Sequence, residues 1–120
     1  MNDVLTSWNE DLVSVESAGT LAGLFLQRVE RSPERPAYRS YDRDSSSWLD
    51  YSWREMAEQV ARWQAALAQE GLRPGDRVAI QLRNCPEWVI FDQACLGLQL
   101  VTAASNGALL EIAVAIETRL

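Results

Sequence analysis

The stretch Gly71-Leu72-Arg73-Pro74-Gly75-Asp76-Arg77-Val78-Ala79-Ile80-Gln81-Leu82 decides the fold, because a helix ends, a tight turn follows and a strand begins within it. Gly71 accepts the left-handed conformation that a helix exit requires, and Leu72 is placed to fold back onto the last turn. Pro74 and Gly75 suit the two central positions of a type II turn, proline setting its own φ and glycine accepting a positive one. After Asp76 the period becomes two. Val78, Ile80 and Leu82 alternate with Arg77, Ala79 and Gln81, which predicts a strand with one apolar face and one partly covered face. Arg73, Asp76 and Arg77 read as turn and surface residues. A helix, a turn and a buried strand predict an α/β protein.

Upstream, Ser52-Trp53-Arg54-Glu55 is a capping box that starts the helix leading to Gly71, with Tyr51 and Met56 as its hydrophobic staple. Trp53, Met56, Val60, Trp63 and Leu67 form one core-facing stripe. Pro36 to Tyr41 and Trp48 to Ser52 flank the polar run from Asp42 to Ser47, and together they predict a β-hairpin. Thr20 caps an earlier helix with Leu21, Leu24, Phe25 and Val29 on one face, ending before Ser32-Pro33. Residues 1–19 are acidic with no basic residue, and Leu5, Trp8, Leu12 and Val15 stand near helical spacing. They read as a loosely attached lead segment, leaving 20–120 as the folded unit.

Downstream, Arg83-Asn84-Cys85-Pro86 breaks the strand and Pro86 opens a helix with little polar surface, which must be buried on more than one side. Gly97 permits close approach of a neighbour. Residues 98–104 predict a second, parallel strand and so a βαβ unit; Ser105-Asn106-Gly107 forms a turn, and Leu109, Ile112, Ala113 and Ile116 suggest a closing helix.

Composition narrows the chemistry. With 120 residues, 48% of them hydrophobic, the chain suits one domain. A net charge of −6 without a basic cluster argues against a nucleic-acid partner. Histidine and lysine are absent, and all 11 basic residues are arginine, so the commonest general base and a phosphate-loop lysine are missing. Cys85 and Cys95 lie on one predicted helix about 15 Å apart along its axis, too far to pair. Unpaired thiols and a start without a signal-peptide pattern predict a cytoplasmic protein. The uncharged run from Gln93 to Leu110 is too polar for a transmembrane segment.

Among candidate sites, Asn84 to Glu87 lies where phosphate binds a helix start after a parallel strand, but Pro86 lacks an N–H and Glu87 adds negative charge. Cys85, near a helix start, is open to a lowered pKa, yet no base stands by; an inert buried thiol is the better reading for it and for Cys95. Asp42 and Asp44 read as a solvated loop rather than an acid and base pair. No catalytic, cofactor-binding or metal residue is assigned from the residues alone.

Five pieces in order carry a resemblance: Thr20-Leu21 leading to Ser32-Pro33-Glu34-Arg35-Pro36-Ala37, Tyr51 to Glu55, Gly71 to Ala79, Asn84 to Trp88, and Gly97. From Thr20 to Val101 the chain resembles the N-terminal portion of the adenylate-forming, AMP-binding superfamily, and Asn84 to Ala94 is most similar to long-chain fatty acyl-CoA ligases. The resemblance implies a partial layered sheet with a βαβ unit and an N-terminal hairpin, a fragment of the ligase N-terminal domain. It also implies a parent reaction in which a carboxylate attacks ATP, magnesium assists, and coenzyme A then displaces AMP. The family's phosphate loop, nucleotide contacts and catalytic lysine lie outside the matched region, so no catalytic residue carries over and no cofactor is expected for this chain.

Past Val101, Val101-Thr102-Ala103-Ala104 lacks the family's proline, although Glu111-Ile112-Ala113 still aligns with its next helix; a diverged relative and a changed reading frame both fit. Two functions follow as expectations. One is an inactive N-terminal fragment of an acyl-CoA synthetase. The other is a non-catalytic interaction module that binds a protein through the surface the missing layers would cover; simple truncation of a layered fold is expected to bare the Ile80 face or the Trp88 to Leu98 helix, inviting self-association or a protein partner through that apolar surface.

Overall fold

A computed structural model describes residues 11–104 together with the backbone of Ala113–Glu117. The short helix α1 (Val15–Ala18) is capped by Ser14, whose Oγ accepts the Ser17 N–H at 3.1 Å. Leu12 lies outside any helix, and Leu5 and Trp8 lie outside the described residues. What ties this segment down is charge: Arg28 donates to Asp11 Oδ1 at 2.9 Å and Arg31 to the Leu12 carbonyl at 2.8 Å. Such half-exposed contacts contribute only about 0–1 kcal/mol each.

Helix α2 (Leu21–Arg31) starts on Thr20 as the sequence predicts, with the Gly23 N–H on its Oγ1 at 2.9 Å. The hairpin follows as β1 (Pro36–Asp42) and β2 (Ser47–Ser52), antiparallel, with Asp42 opposite Ser47 and a register shift between Pro36 and Tyr38. Asp42 closes its loop by accepting the Ser45 N–H at 3.1 Å.

Helix α3 (Trp53–Ala68) begins without a spacer. Ser52 ends β2 and also caps α3, accepting the Glu55 N–H at 3.1 Å while Glu55 accepts the Ser52 N–H at 2.8 Å. The Trp53 and Arg54 N–H groups donate to the carbonyls of Arg35 and Pro33 at 3.2 and 2.9 Å, so the loop before β1 completes the cap. Of the predicted stripe, Met56, Val60 and Leu67 are buried. Trp63 departs from it: it is 43% exposed, because it lies over Phe91 at the rim, with ring centroids 4.5 Å apart, rather than under a further layer.

The turn forms as the residues require. Gly71 has φ +72° and Gly75 φ +89°, and the Asp76 N–H reaches the Arg73 carbonyl at 3.0 Å. Asp76 is not a surface residue. It is 4% exposed, its Oδ2 accepts the Arg73 N–H at 2.8 Å, and its carbonyl accepts the Val101 N–H at 2.8 Å. The arrival of the next strand buries it, which no local pattern reveals.

Strand β3 (Arg77–Gln81) is central in a sheet of order β4-β3-β5, with β4 (Val101–Ala104) parallel to it and β5 (Ala113–Glu117) antiparallel. The predicted closing helix is therefore corrected over Ala113–Glu117. Strand β5 pairs with the open edge of β3, Ile80 opposite Val114, and an unpaired edge outweighs a weak helical pattern. The predicted turn at Ser105-Asn106-Gly107 lies outside the described residues.

Helix α4 (Pro86–Gly97) is covered twice, as its composition demands. Ile90, Ala94 and Cys95 join Phe25, Met56, Val60 and Leu67 in one core, while Phe91 meets Ile80 and Leu82 in another. The expected exposure of the Ile80 face is corrected: Ile80 is fully buried, and Trp88 and Leu98 are half-buried, because α4 lies directly over that face. A Cβ on Gly97 would fall 1.8 Å from Gln64 Nε2, so α3 and α4 do approach closely there.

Replacing Asp76 by Ala strands the Arg73 N–H and lowers unfolding free energy by about 2 kcal/mol, whereas Arg77→Gln changes it by less than about 0.5 kcal/mol. Urea denaturation at unchanged m-value reads both, and equal midpoints for the two variants would refute the role given to Asp76.

Candidate functional site

The junction between β3 and α4 holds most of the residues that the sequence singles out. Cys85 is the N-cap of α4 but makes no side-chain capping bond, Pro86 is the first helical residue, and Arg83, Asn84 and Glu87 are exposed. A phosphate would meet few N–H donors there: proline has none, and the Trp88 N–H is taken by the Cys85 carbonyl at 3.1 Å. The start of α3 is equally closed, its first N–H groups all holding protein partners. Neither of these two helix starts offers a cradle for phosphate. Among the described residues, no group of three or more His, Cys, Asp or Glu side chains is placed to hold a metal ion.

The thiols differ from one open sequence expectation. Burial pushes the half-buried Cys85 thiol up rather than down; the Trp88 N–H pulls against it, and the Glu87 carboxylate adds to the rise. Burial, with help from Asp92, raises the Cys95 thiol to about 11. Both behave as inert sulfhydryls at neutral pH. Asp42 is held below the usual carboxylate range by the Ser45 hydroxyl and then the Ser45 N–H, consistent with a loop-closing role.

What the structure adds is a cleft of about 400 Å³ between the hairpin and this junction. Tyr38, Arg39, Tyr41, Arg43 and Trp48 line the hairpin side. Arg83, Asn84, Cys85, Pro86 and Val89 line the other. Arg39 grips Asp50 across the hairpin through two bonds of 2.6 and 3.2 Å. Tyr41 and Trp48 meet edge to face with centroids 5.4 Å apart. Asp42 and Asp44 are not in the lining, and Cys95 is buried elsewhere in the core. Sequence reasoning treated the hairpin as scaffold and missed this cleft. Its advance signal was Tyr38, Tyr41 and Trp48 gathered on one hairpin with Arg39 and Arg43, whose charge Asp42 and Asp44 balance in the sequence.

Comparison with known proteins places the scaffold. A family profile described as "AMP-binding enzyme" matches residues 25–115. The chain is 38% identical over 72 residues to "Probable CoA ligase CCL6" of Humulus lupulus, a match covering 56% of this chain and 11% of that protein. It is 31% identical over 81 residues to "Long chain acyl-CoA synthetase 1" of Arabidopsis thaliana, covering 65% and 12%. A solved structure of the Klebsiella oxytoca NpsA N-terminal subdomain matches with a TM-score of 0.63 and 30% identity, over 72% of this chain and 21% of that one. The matched stretch spans only 11% and 12% of the length of the two curated relatives.

At about pH 8 iodoacetamide should alkylate Cys85 more slowly in the native protein than in urea, and Cys95 only in urea, as peptide mass spectrometry would report. Because the folded Cys95 keeps its proton from 9 to about 11, past the point where the unfolded thiol releases it, stability falls across that window as pH rises. Tyr38 and Tyr51, both raised by burial, act in the same sense at higher pH. Cys95→Ala should flatten the lower part of the decline.

Proposed function

From the premise that the chain belongs to the AMP-binding enzyme family, we propose that it is the N-terminal portion of an ATP-dependent acyl-CoA synthetase and has no activity by itself. The observation that carries this reading is the continuous family match over residues 25–115 in a chain whose aligned stretch is about a ninth of an acyl-CoA ligase relative. Residues 20–120 would be the incomplete N-terminal subdomain and 1–19 its lead segment. The parent reaction would join a fatty acid to coenzyme A through an acyl-adenylate, releasing AMP and pyrophosphate; relatives named as long-chain acyl-CoA synthetases support that choice of acid. ATP, magnesium and coenzyme A would be used by the parent enzyme, a reading that membership of the AMP-binding enzyme family supports. A reducing cytoplasm suits the two free thiols, and no helix among the described residues is long and apolar enough to cross a membrane.

One observation favours a second reading, a non-catalytic interaction module on a ligase-derived scaffold. The Ile80 face, which a simple truncation was expected to bare, is covered by Phe91 and Trp88 of α4. A module closed in this way would remain a monomer in light scattering, whereas an open fragment would self-associate.

Purified protein given ATP, magnesium, coenzyme A and a long-chain fatty acid should release no AMP or acyl-CoA above a protein-free blank. Sustained turnover that tracks the protein through purification would overturn both readings.

A further inference from the structure

We propose that the cleft between the β1–β2 hairpin and the β3–α4 junction binds a small organic oxyanion, a carboxylate or phosphate monoester carried on a flat apolar group. Charge is the first argument. The chain has 17 acidic residues against 11 basic ones, yet the cleft walls carry Arg39, Arg43 and Arg83 and no carboxylate.

Pairing is the second argument. Arg39 is engaged by Asp50, while among the described residues Arg43 and Arg83 make no ion pair. Neither neighbouring acid lines the cleft: Asp42 is turned into its own loop by Ser45, and Glu87 stands on the first turn of α4. Two arginines lining one gap, one on each wall, suit the paired oxygens of a carboxylate or phosphate.

Shape and apolar surface supply the third. Trp48 is 61% exposed and Tyr41 48% exposed, an unusual display of aromatic area, and both line the cleft, with Pro86 and Val89 on the opposite wall. A flat ring would cover that surface while its anionic end reached the arginines. The volume of about 400 Å³ fits a molecule of that size. The start of α4 is not the source of attraction, since Pro86 withholds its N–H; the positive charge comes from side chains on both walls. The proposal stands on this cleft and not on the ligase reading, so failure of either leaves the other untouched.

The test is calorimetric titration of the whole chain with phenyl phosphate and with benzoate, using benzamide as the uncharged counterpart and inorganic phosphate as the ringless one. Saturable binding of phenyl phosphate or benzoate is expected, the stronger of the two identifying the anion, with benzamide and inorganic phosphate at least about tenfold weaker. Amide shifts in nitrogen-15 spectra should cluster at Ser40, Asn84 and Val89. The double variant Arg43→Gln, Arg83→Gln should weaken binding about tenfold or more with an unchanged urea midpoint, and Arg73→Gln, away from the cleft, should not. If the double variant proves unstable, Arg83→Gln alone should weaken binding by a smaller factor. No saturable binding of either aromatic anion, equal binding of benzamide, shifts mapping elsewhere, or full affinity in the arginine variants would overturn the proposal.

Discussion

The two-sided burial of α4 is the constraint on which the rest of the structure depends. Its apolar residues run round the helix, with Ile90, Ala94 and Cys95 on one side and Phe91 on another, so one cover is not enough. Strand β3 supplies one layer through Ile80, with Leu82 just past its end; α3 supplies the other through Val60 and Leu67. Each layer is worth placing only because α4 lies between them, since apolar area is removed from water on both sides at once. Gln64 secures the second contact by lying against Gly97 and donating to the Ala94 carbonyl at 3.4 Å.

Much of this architecture could be read from residues whose chemistry acts within a few positions. The capping box at Ser52 and Glu55, the positive φ of Gly71 and Gly75, and the Pro86 helix start each satisfy or withhold a nearby backbone group, so their meaning needs no distant partner. The misreadings share the opposite cause. Asp76 looks like a turn residue until the Val101 N–H arrives at its carbonyl, and Ala113 to Glu117 becomes a strand only because β3 has a free edge. Trp63 obeyed the helical period but found a rim instead of a third layer. The cleft was invisible for the same reason: its walls come from the hairpin and from the β3–α4 junction, which only the folded chain brings together.

Membership of the AMP-binding family rests on scaffold residues, not on reactive ones. The groups that first drew notice are already occupied by structural work. Thiols are raised by burial, Asp42 closes a loop, and the N–H groups at the start of α3 hold other parts of the chain. Polar groups satisfied in this way specify the fold and leave little reactivity behind. Arg43 and Arg83 make no ion pair among the described residues and line the cleft, which is why the ligand inference rests there.

Ser52 belongs to β2 and to the cap of α3 at once, so hairpin and helix are joined with no slack. Mechanically, hairpin and helix share a joint made of Ser52 together with the Arg35 and Pro33 carbonyls that hold the first N–H groups of α3. One wall of the surface gap is thus built on the same joint as a helix of the interior, so the hairpin's placement is fixed from below and not by its own turn.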